Sequence, residues 1–123
     1  MKIKINSFLP AILGLVAATV LFCLPGEEFP EAEWFDVIQL DKWIHVGLFF
    51  TLVVLWCLPT ASRIKQKPRL SQAYFWITLA LIIYGLIIEL IQRDFTPHRS
   101  FDAMDIVADT LGCIAGLIFV KKY

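Results

Sequence analysis

The chain has 123 residues, of which 59% are hydrophobic and 18% are charged. This is more apolar surface than a soluble domain of such length can bury, so lipid is the expected solvent. Its eleven basic and eleven acidic residues give a net charge of zero, and this balance offers no electrostatic basis for binding nucleic acid.

Four apolar stretches follow one another along the chain, each close to the 17 to 25 residues that cross a hydrocarbon core. They cover residues 8–24, 43–58, 73–91 and 104–120. Pro25 follows the first stretch and Pro59 the second, so we expect helix ends there. Residues 77–88 of the third stretch are apolar on all sides, which excludes a soluble helical bundle. We predict one all-α domain over residues 1–123, a polytopic membrane bundle of four transmembrane helices.

The positions of the basic residues predict the orientation of this bundle. They precede the first stretch, separate the second from the third, and follow the fourth: Lys2, Lys4, Arg63, Lys65, Lys67, Arg69, Lys121 and Lys122. The positive-inside rule then places both termini on the cytoplasmic side. No small-residue cleavage site follows the first stretch, so we expect it to remain as an anchor.

Polar side chains are concentrated near the predicted outer ends of the last three spans. They are Asp41, Lys42, His45, Glu89, Gln92, Arg93, Arg99, Asp102, Asp105 and Asp109. Spacings of three and four residues place the members from each span on one helix face. Asp109 would lie about 7 to 8 Å below the start of its span, where a carboxylate must be protonated, paired or wetted. We predict that these ten residues form a ligand-binding site.

Glycines in the spans predict close contact between helices. Gly112 and Gly116 form a Gly-x-x-x-Gly pattern in the fourth span, and Gly47 and Gly85 lie in the second and third. Small residues of this kind let transmembrane helices approach one another closely. We therefore expect a compact bundle.

Three short motifs occur in order along the chain. They are Asp41-Lys42-x-x-His45, Glu89-x-x-Gln92-Arg93, and Arg99-Ser100-Phe101-Asp102-x-x-Asp105 leading to Gly112-x-x-x-Gly116. Together they resemble the VanZ-like family of small bacterial membrane proteins, from Leu24 onward. The chain departs from the family pattern at Asp109, where Asn is usual. The resemblance implies a multi-pass protein of the bacterial cytoplasmic (inner) membrane, with a link to the cell envelope and to resistance against the glycopeptide antibiotic teicoplanin.

Our leading hypothesis is that the outer polar residues bind or process an anionic lipid or lipid-linked envelope precursor. Lys42, Arg93 and Arg99 would hold its phosphate or carboxylate head group. The apolar walls of the spans would accept its hydrocarbon chains. The expected partners are therefore the lipid bilayer and this ligand.

Two alternatives remain open. In the first, the chain is a metal-dependent hydrolase or transferase, with His45, Glu89 and Asp105 as candidate catalytic residues. Asp102, Asp105 and Asp109 would then hold a divalent cation. In the second, the chain is an accessory subunit and the polar residues are structural. No catalytic, metal or cofactor signature occurs in the sequence, so whether the chain is an enzyme stays undecided.

Overall fold

The computed structural model describes residues 7–23, 40–95 and 103–122, apart from the side chains of residues 40, 41 and 92–95. These residues form four α-helices: α1 (Leu9–Phe22), α2 (Leu40–Arg63), α3 (Lys67–Phe95) and α4 (Ala103–Lys122). The predicted all-α class is confirmed for this part of the chain.

Three of the helices in the described residues are long and apolar enough to cross a membrane. Their apolar segments are Lys42–Arg63, Lys67–Ile91 and Ala103–Lys122. Helix α1 is also apolar but has 14 residues, or about 21 Å at 1.5 Å per residue. A hydrocarbon core is about 30 Å thick, so α1 within its described bounds is shorter than a full span.

Helix α2 continues through Pro59 to Arg63, and the prediction that Pro59 ends the second helix is wrong. A proline removes one backbone donor, but side-chain donors satisfy carbonyls of the last turns. Thr60 Oγ1 donates to the Trp56 carbonyl at 2.9 Å. Ser62 Oγ and Arg63 Nη1 donate to the Pro59 carbonyl at 2.7 and 3.0 Å. These hydrogen bonds stabilise the last turn of α2, which extends beyond the apolar stretch to Arg63.

The longest contact in the bundle is between α2 and α4, which run parallel. Lys42 contacts Asp105 near the start of both helices. Farther along the pair, the Phe50 and Phe119 ring centroids are 5.5 Å apart. Between these contacts, Gly112 lies against Val46 and Gly116 against Phe50, each pair 66 positions apart in sequence, so the two helices are parallel and in register.

Helices α1 and α3 run antiparallel to this central pair. The Phe22 ring at the end of α1 lies 4.7 Å from the His45 ring near the start of α2. At the other end, Phe8 lies 5.7 Å from Trp56. In the second half of α3, Gly85 faces Asp109 near the start of α4. The arrangement therefore gathers the starts of α2 and α4 with the second half of α3 and the end of α1.

The distribution of side chains is the reverse of that in a soluble bundle. Large apolar residues are exposed on every helix, among them Leu13, Trp43, Trp76, Ile87 and Leu111. Several ionisable side chains are instead buried between the helices. Such an outer surface would aggregate in water and is suited to lipid. The structure thus supports a protein embedded in a bilayer.

Two glycines of α4 lie directly against the backbone of α2. A Cβ atom built on Gly112 would collide with the Val46 carbonyl oxygen. One built on Gly116 would lie 2.9 Å from the Phe50 carbonyl oxygen. Any larger residue would force the helices apart, so the close contact predicted from the Gly-x-x-x-Gly pattern is confirmed.

Of the other two glycines, Gly85 also lies closely against a neighbouring helix, whereas Gly47 does not. A Cβ atom on Gly85 would lie 2.7 Å from Asp109 Oδ2, so this glycine makes room for a carboxylate. Gly47 is exposed, and a Cβ atom built on it meets none of the described residues within 4 Å, so the prediction that it brings α2 close to another helix is wrong for the described helices. Gly47 lies on a face of α2 that no described helix covers.

Candidate functional site

Five of the predicted site residues with described side chains meet at one end of the bundle. They are Lys42 and His45 on α2, Glu89 on α3, and Asp105 and Asp109 on α4. We call these five residues the polar cluster. Helices α2 and α4 are parallel, and α3 is antiparallel to both. This arrangement brings together residues that are up to 67 positions apart in the sequence, from Lys42 to Asp109.

The deepest contact of the polar cluster joins His45 and Asp109. His45 Nδ1 and Asp109 Oδ1 are 2.6 Å apart and share a hydrogen bond, and these residues are 5% and 3% exposed. An ionised carboxylate only accepts hydrogen bonds. When Asp109 is ionised, the shared proton therefore belongs to Nδ1, and the imidazole is fixed in one orientation.

Asp105 connects this buried pair to the mouth of the polar cluster. Its Oδ2 lies 3.9 Å from His45 Nε2, and its Oδ1 lies 2.7 Å from Lys42 Nζ. The exposed fraction of the side chain falls from 18% at Lys42 to 12% at Asp105, 7% at His45 and 4% at Asp109. The four residues thus form a continuous polar path from the bundle end into its interior.

Glu89 contributes a third carboxylate from α3. It is 1% exposed and lies within electrostatic range of His45. A buried carboxylate is costly unless its surroundings compensate it. Glu89 therefore lies beside the other charged groups and does not face lipid, as expected for a charged side chain within a span.

Three residues that sequence reasoning missed complete the surroundings of the polar cluster. The Phe22 ring stacks on the His45 imidazole, with an angle of 21° between the ring planes. Beneath it, Thr19 Oγ1 and Tyr84 Oη share a hydrogen bond of 2.6 Å between α1 and α3. A threonine and a tyrosine within apolar spans were a weak signal for this bond, whereas nothing in the sequence distinguished Phe22 from its apolar neighbours.

The remaining predicted site residues lie outside the described part. These are the side chains of Asp41, Gln92 and Arg93, together with residues Arg99 and Asp102. Their membership of the site stays a prediction. The described residues contain no group of three or more His, Cys, Asp or Glu placed to hold a metal ion. A divalent site that includes Asp102 therefore remains a hypothesis from the sequence.

The polar cluster is chemically suited to two tasks. Lys42 offers a partly exposed cation to an anionic group at the bundle end. His45 is a proton acceptor or donor whose ring is oriented by a carboxylate, the arrangement used for general acid–base chemistry. The first task needs the anionic group only at the bundle end, whereas the second needs a reacting group to reach the more deeply buried His45.

The fold and this site define a helical membrane protein with a buried polar cluster at one end of an apolar bundle. The profile of the VanZ/LLP1 family matches residues 12–122. The chain belongs to this family, which confirms the resemblance drawn from the three motifs. Comparison with curated proteins and with solved structures finds no significant match.

Proposed function

We propose that this chain is an envelope-associated protein of the bacterial cytoplasmic membrane whose polar cluster binds or processes an anionic lipid or lipid-linked precursor. The observation that carries the proposal is the burial gradient from Lys42 through Asp105 and His45 to Asp109. A head group that enters from the bundle end meets the most accessible cation first. The apolar outer faces of the helices accept its hydrocarbon chains.

The ion pair at the mouth favours a binding role over a purely structural one. Lys42 and Asp105 are the most accessible members of the polar cluster, so a ligand can reach this pair, whereas the more deeply buried His45–Asp109 hydrogen bond joins α2 to α4. A phosphate could share Lys42 with Asp105, or replace Asp105 as its partner. We propose that Arg93 and Arg99 supply further positive charge, since the three carboxylates of the polar cluster outnumber Lys42.

The binding proposal predicts that a specific lipid co-purifies with the protein. We expect lipid mass spectrometry in mild detergent to detect an anionic or polyprenyl-linked lipid on the wild type. Its amount should fall about tenfold in Lys42→Gln and Arg99→Gln, the loss expected for one charge-assisted hydrogen bond. Lys122→Gln, at the opposite end of α4, serves as the control and should retain the lipid. Equal lipid content in all four proteins would contradict the proposal.

A second candidate function is acid–base chemistry on the bound lipid, and the oriented His45 imidazole favours it. The same mass spectrometry separates the two candidates. If the site only binds, His45→Gln should carry the lipid found on the wild type or lose it. If the site is catalytic, His45→Gln should carry a lipid of different mass, because the unconverted substrate stays bound.

We further propose that the chain crosses the membrane four times with both termini in the cytoplasm. Because α2 and α4 are parallel, Arg63 in the last turn of α2 and Lys121 and Lys122 in the last turn of α4 lie at one end of the bundle, which supports the orientation that the positive-inside rule predicts. The apolar composition of α1 supports a fourth span. A link to teicoplanin resistance rests on the family resemblance alone.

This topology predicts the reactivity of single cysteines introduced into a chain whose three native cysteines are replaced by alanine. We expect a membrane-impermeant maleimide to label Glu31→Cys on intact cells. Lys4→Cys, Lys65→Cys and Lys122→Cys should react only after the membrane is opened. Labelling of Lys4→Cys on intact cells would show that α1 does not cross the membrane.

A further inference from the structure

The inner end of the polar cluster is enclosed by the bundle. His45 is 5% exposed and Asp109 is 3% exposed, so little of the imidazole is open to a ligand. A group that reacts with His45 needs a wider opening than this packing leaves. Which helix can move to provide it depends on how each one packs around His45.

Helices α3 and α4 are in close contact with their neighbours at this point. Gly112 of α4 lies against the Val46 backbone, and a hydrogen bond of 2.6 Å joins His45 to Asp109. Gly85 of α3 lies against the Asp109 carboxylate. Displacing either helix would break these contacts and separate buried charged groups, which is costly within a bilayer.

Helix α1 packs more loosely against the bundle. Its buried residues are Ala11, Ala18 and Phe22, and two of these three carry only a methyl group. Leu15 borders a cavity of about 250 Å³ between α1, α2 and α3, and Ala17 borders one of about 180 Å³ between α1 and α2. Residues two apart point to different sides of a helix, so the cavities flank the contact. Lipid chains can replace such apolar contacts, because no hydrophobic driving force holds transmembrane helices together.

The last two turns of α1 cover the inner end of the polar cluster. The Phe22 ring stacks on the His45 imidazole, with 4.7 Å between the ring centroids, and lies 6.0 Å from the Phe49 ring. One turn earlier, Thr19 Oγ1 and Tyr84 Oη share a hydrogen bond of 2.6 Å. The largest buried side chain of α1 is therefore the one that covers the imidazole.

We propose that α1 is a lateral gate of the polar cluster. When α1 moves away from α2 and α3, it withdraws the Phe22 ring and breaks the Thr19–Tyr84 hydrogen bond. The other three helices keep the arrangement of His45 and Asp109. The imidazole is then open toward the bilayer, where a lipid head group can reach it. As a route for a lipid, the gate rests on the function proposed above, but its opening is measured without a ligand.

The rate at which diethyl pyrocarbonate modifies His45 in lipid nanodiscs tests the proposal. His98, the other histidine of the chain, is replaced by glutamine, and the protein carries no histidine tag. The reagent reacts with molecules in which His45 is uncovered, so the rate follows the open fraction. Thr19→Val removes the hydrogen bond between α1 and α3 and should raise the rate about threefold, as expected for one such bond between transmembrane helices. Thr51→Val is the matched control and should leave the rate unchanged, because Thr51 Oγ1 donates to the Gly47 carbonyl of its own helix.

A reversible cross-link between α1 and α2 shows whether α1 must move. Gly14→Cys and Leu55→Cys place the two thiols close together, since a Cβ atom on Gly14 would lie 3.1 Å from Leu55 Cδ1. The native cysteines are replaced by alanine. A short thiol-specific cross-linker with a reducible bond should abolish most of the His45 modification. Dithiothreitol should restore it in the same protein, which controls for any effect of the substitutions on folding.

The outcomes separate the gate from the function proposed for the site. An unchanged rate in the cross-linked protein would overturn the gate and mean that His45 is reached through the mouth beside Lys42. Equal rates in Thr19→Val and Thr51→Val would overturn it as well. If the cross-link slows the modification but no lipid co-purifies with the wild type, the gate stands and the proposed lipid function fails.

Discussion

Gly112→Ala is expected to destabilise the protein by about 1 to 3 kcal/mol, the usual range for overpacking a tight contact. The added methyl group would collide with the Val46 carbonyl oxygen, and backbone atoms cannot rotate aside as a flexible side chain can. Helix α4 must then move away from α2 along the most extensive contact of the bundle. The free energy of unfolding in detergent or bicelles measures the effect.

Gly47→Ala is the matched control for this prediction. It makes the same chemical change in a neighbouring helix, but its methyl group meets none of the residues in the described ranges within 4 Å. Alanine is the better helix former by about 1 kcal/mol, so this variant should be as stable as the wild type or more so. Equal destabilisation by the two substitutions would contradict the described α2–α4 contact.

Asp109→Leu is expected to cost about 3 kcal/mol of unfolding free energy, within the range for removing one partner of a buried polar pair. It leaves the His45 Nδ1 without its partner at 2.6 Å. Asp109→Asn should cost less, because an amide can still share a hydrogen bond with the imidazole. At the mouth of the polar cluster, Lys42→Met should cost less than Asp109→Leu but at least about 1 kcal/mol, because it removes the ion-pair partner of the buried Asp105 carboxylate.

A double-mutant cycle tests whether the cost arises from the pair itself. His45→Phe retains an aromatic ring against Phe22 and removes both ring nitrogens. Combined with Asp109→Leu, it should destabilise the protein by clearly less than the sum of the two single changes. Additive costs would mean that His45 and Asp109 contribute independently, and the hydrogen bond would then carry little of the stability.

The composition of the polar cluster could be predicted because two independent regularities agree. Asp105 and Asp109 are four residues apart, so they share a helix face. The alternation of basic and acidic connections indicates which helix ends lie together. Together these rules place His45 and Glu89 beside those carboxylates before any contact is known. The pairing of His45 with Asp109, rather than with Asp105 or Glu89, depends on the helix register and could not be read from spacing.

Other features depend on packing that leaves no mark on composition. Phe22 is one of many apolar residues in α1, and only the antiparallel contact with α2 makes it the stacking partner of His45. Pro59 is a helix breaker by its chemistry, but Ser62 and Arg63 supply donors that the backbone pattern does not reveal. Gly47 is as small as Gly112, yet it lies on a side of α2 that faces no other described helix.

The glycine contacts of α4 have a consequence for how a ligand would be received. Gly112 follows Asp109 by less than one turn, so the closest backbone contact lies directly beneath the carboxylates that line the polar path. Two backbones in such close contact cannot slide or rotate past one another. The distance between His45 and Asp109 is therefore fixed before a ligand binds. The inner part of the polar cluster is therefore a preorganised receptor, in which ordering costs little affinity. Lys42 would accommodate different head groups, because its long and partly exposed side chain can move without disturbing the helices.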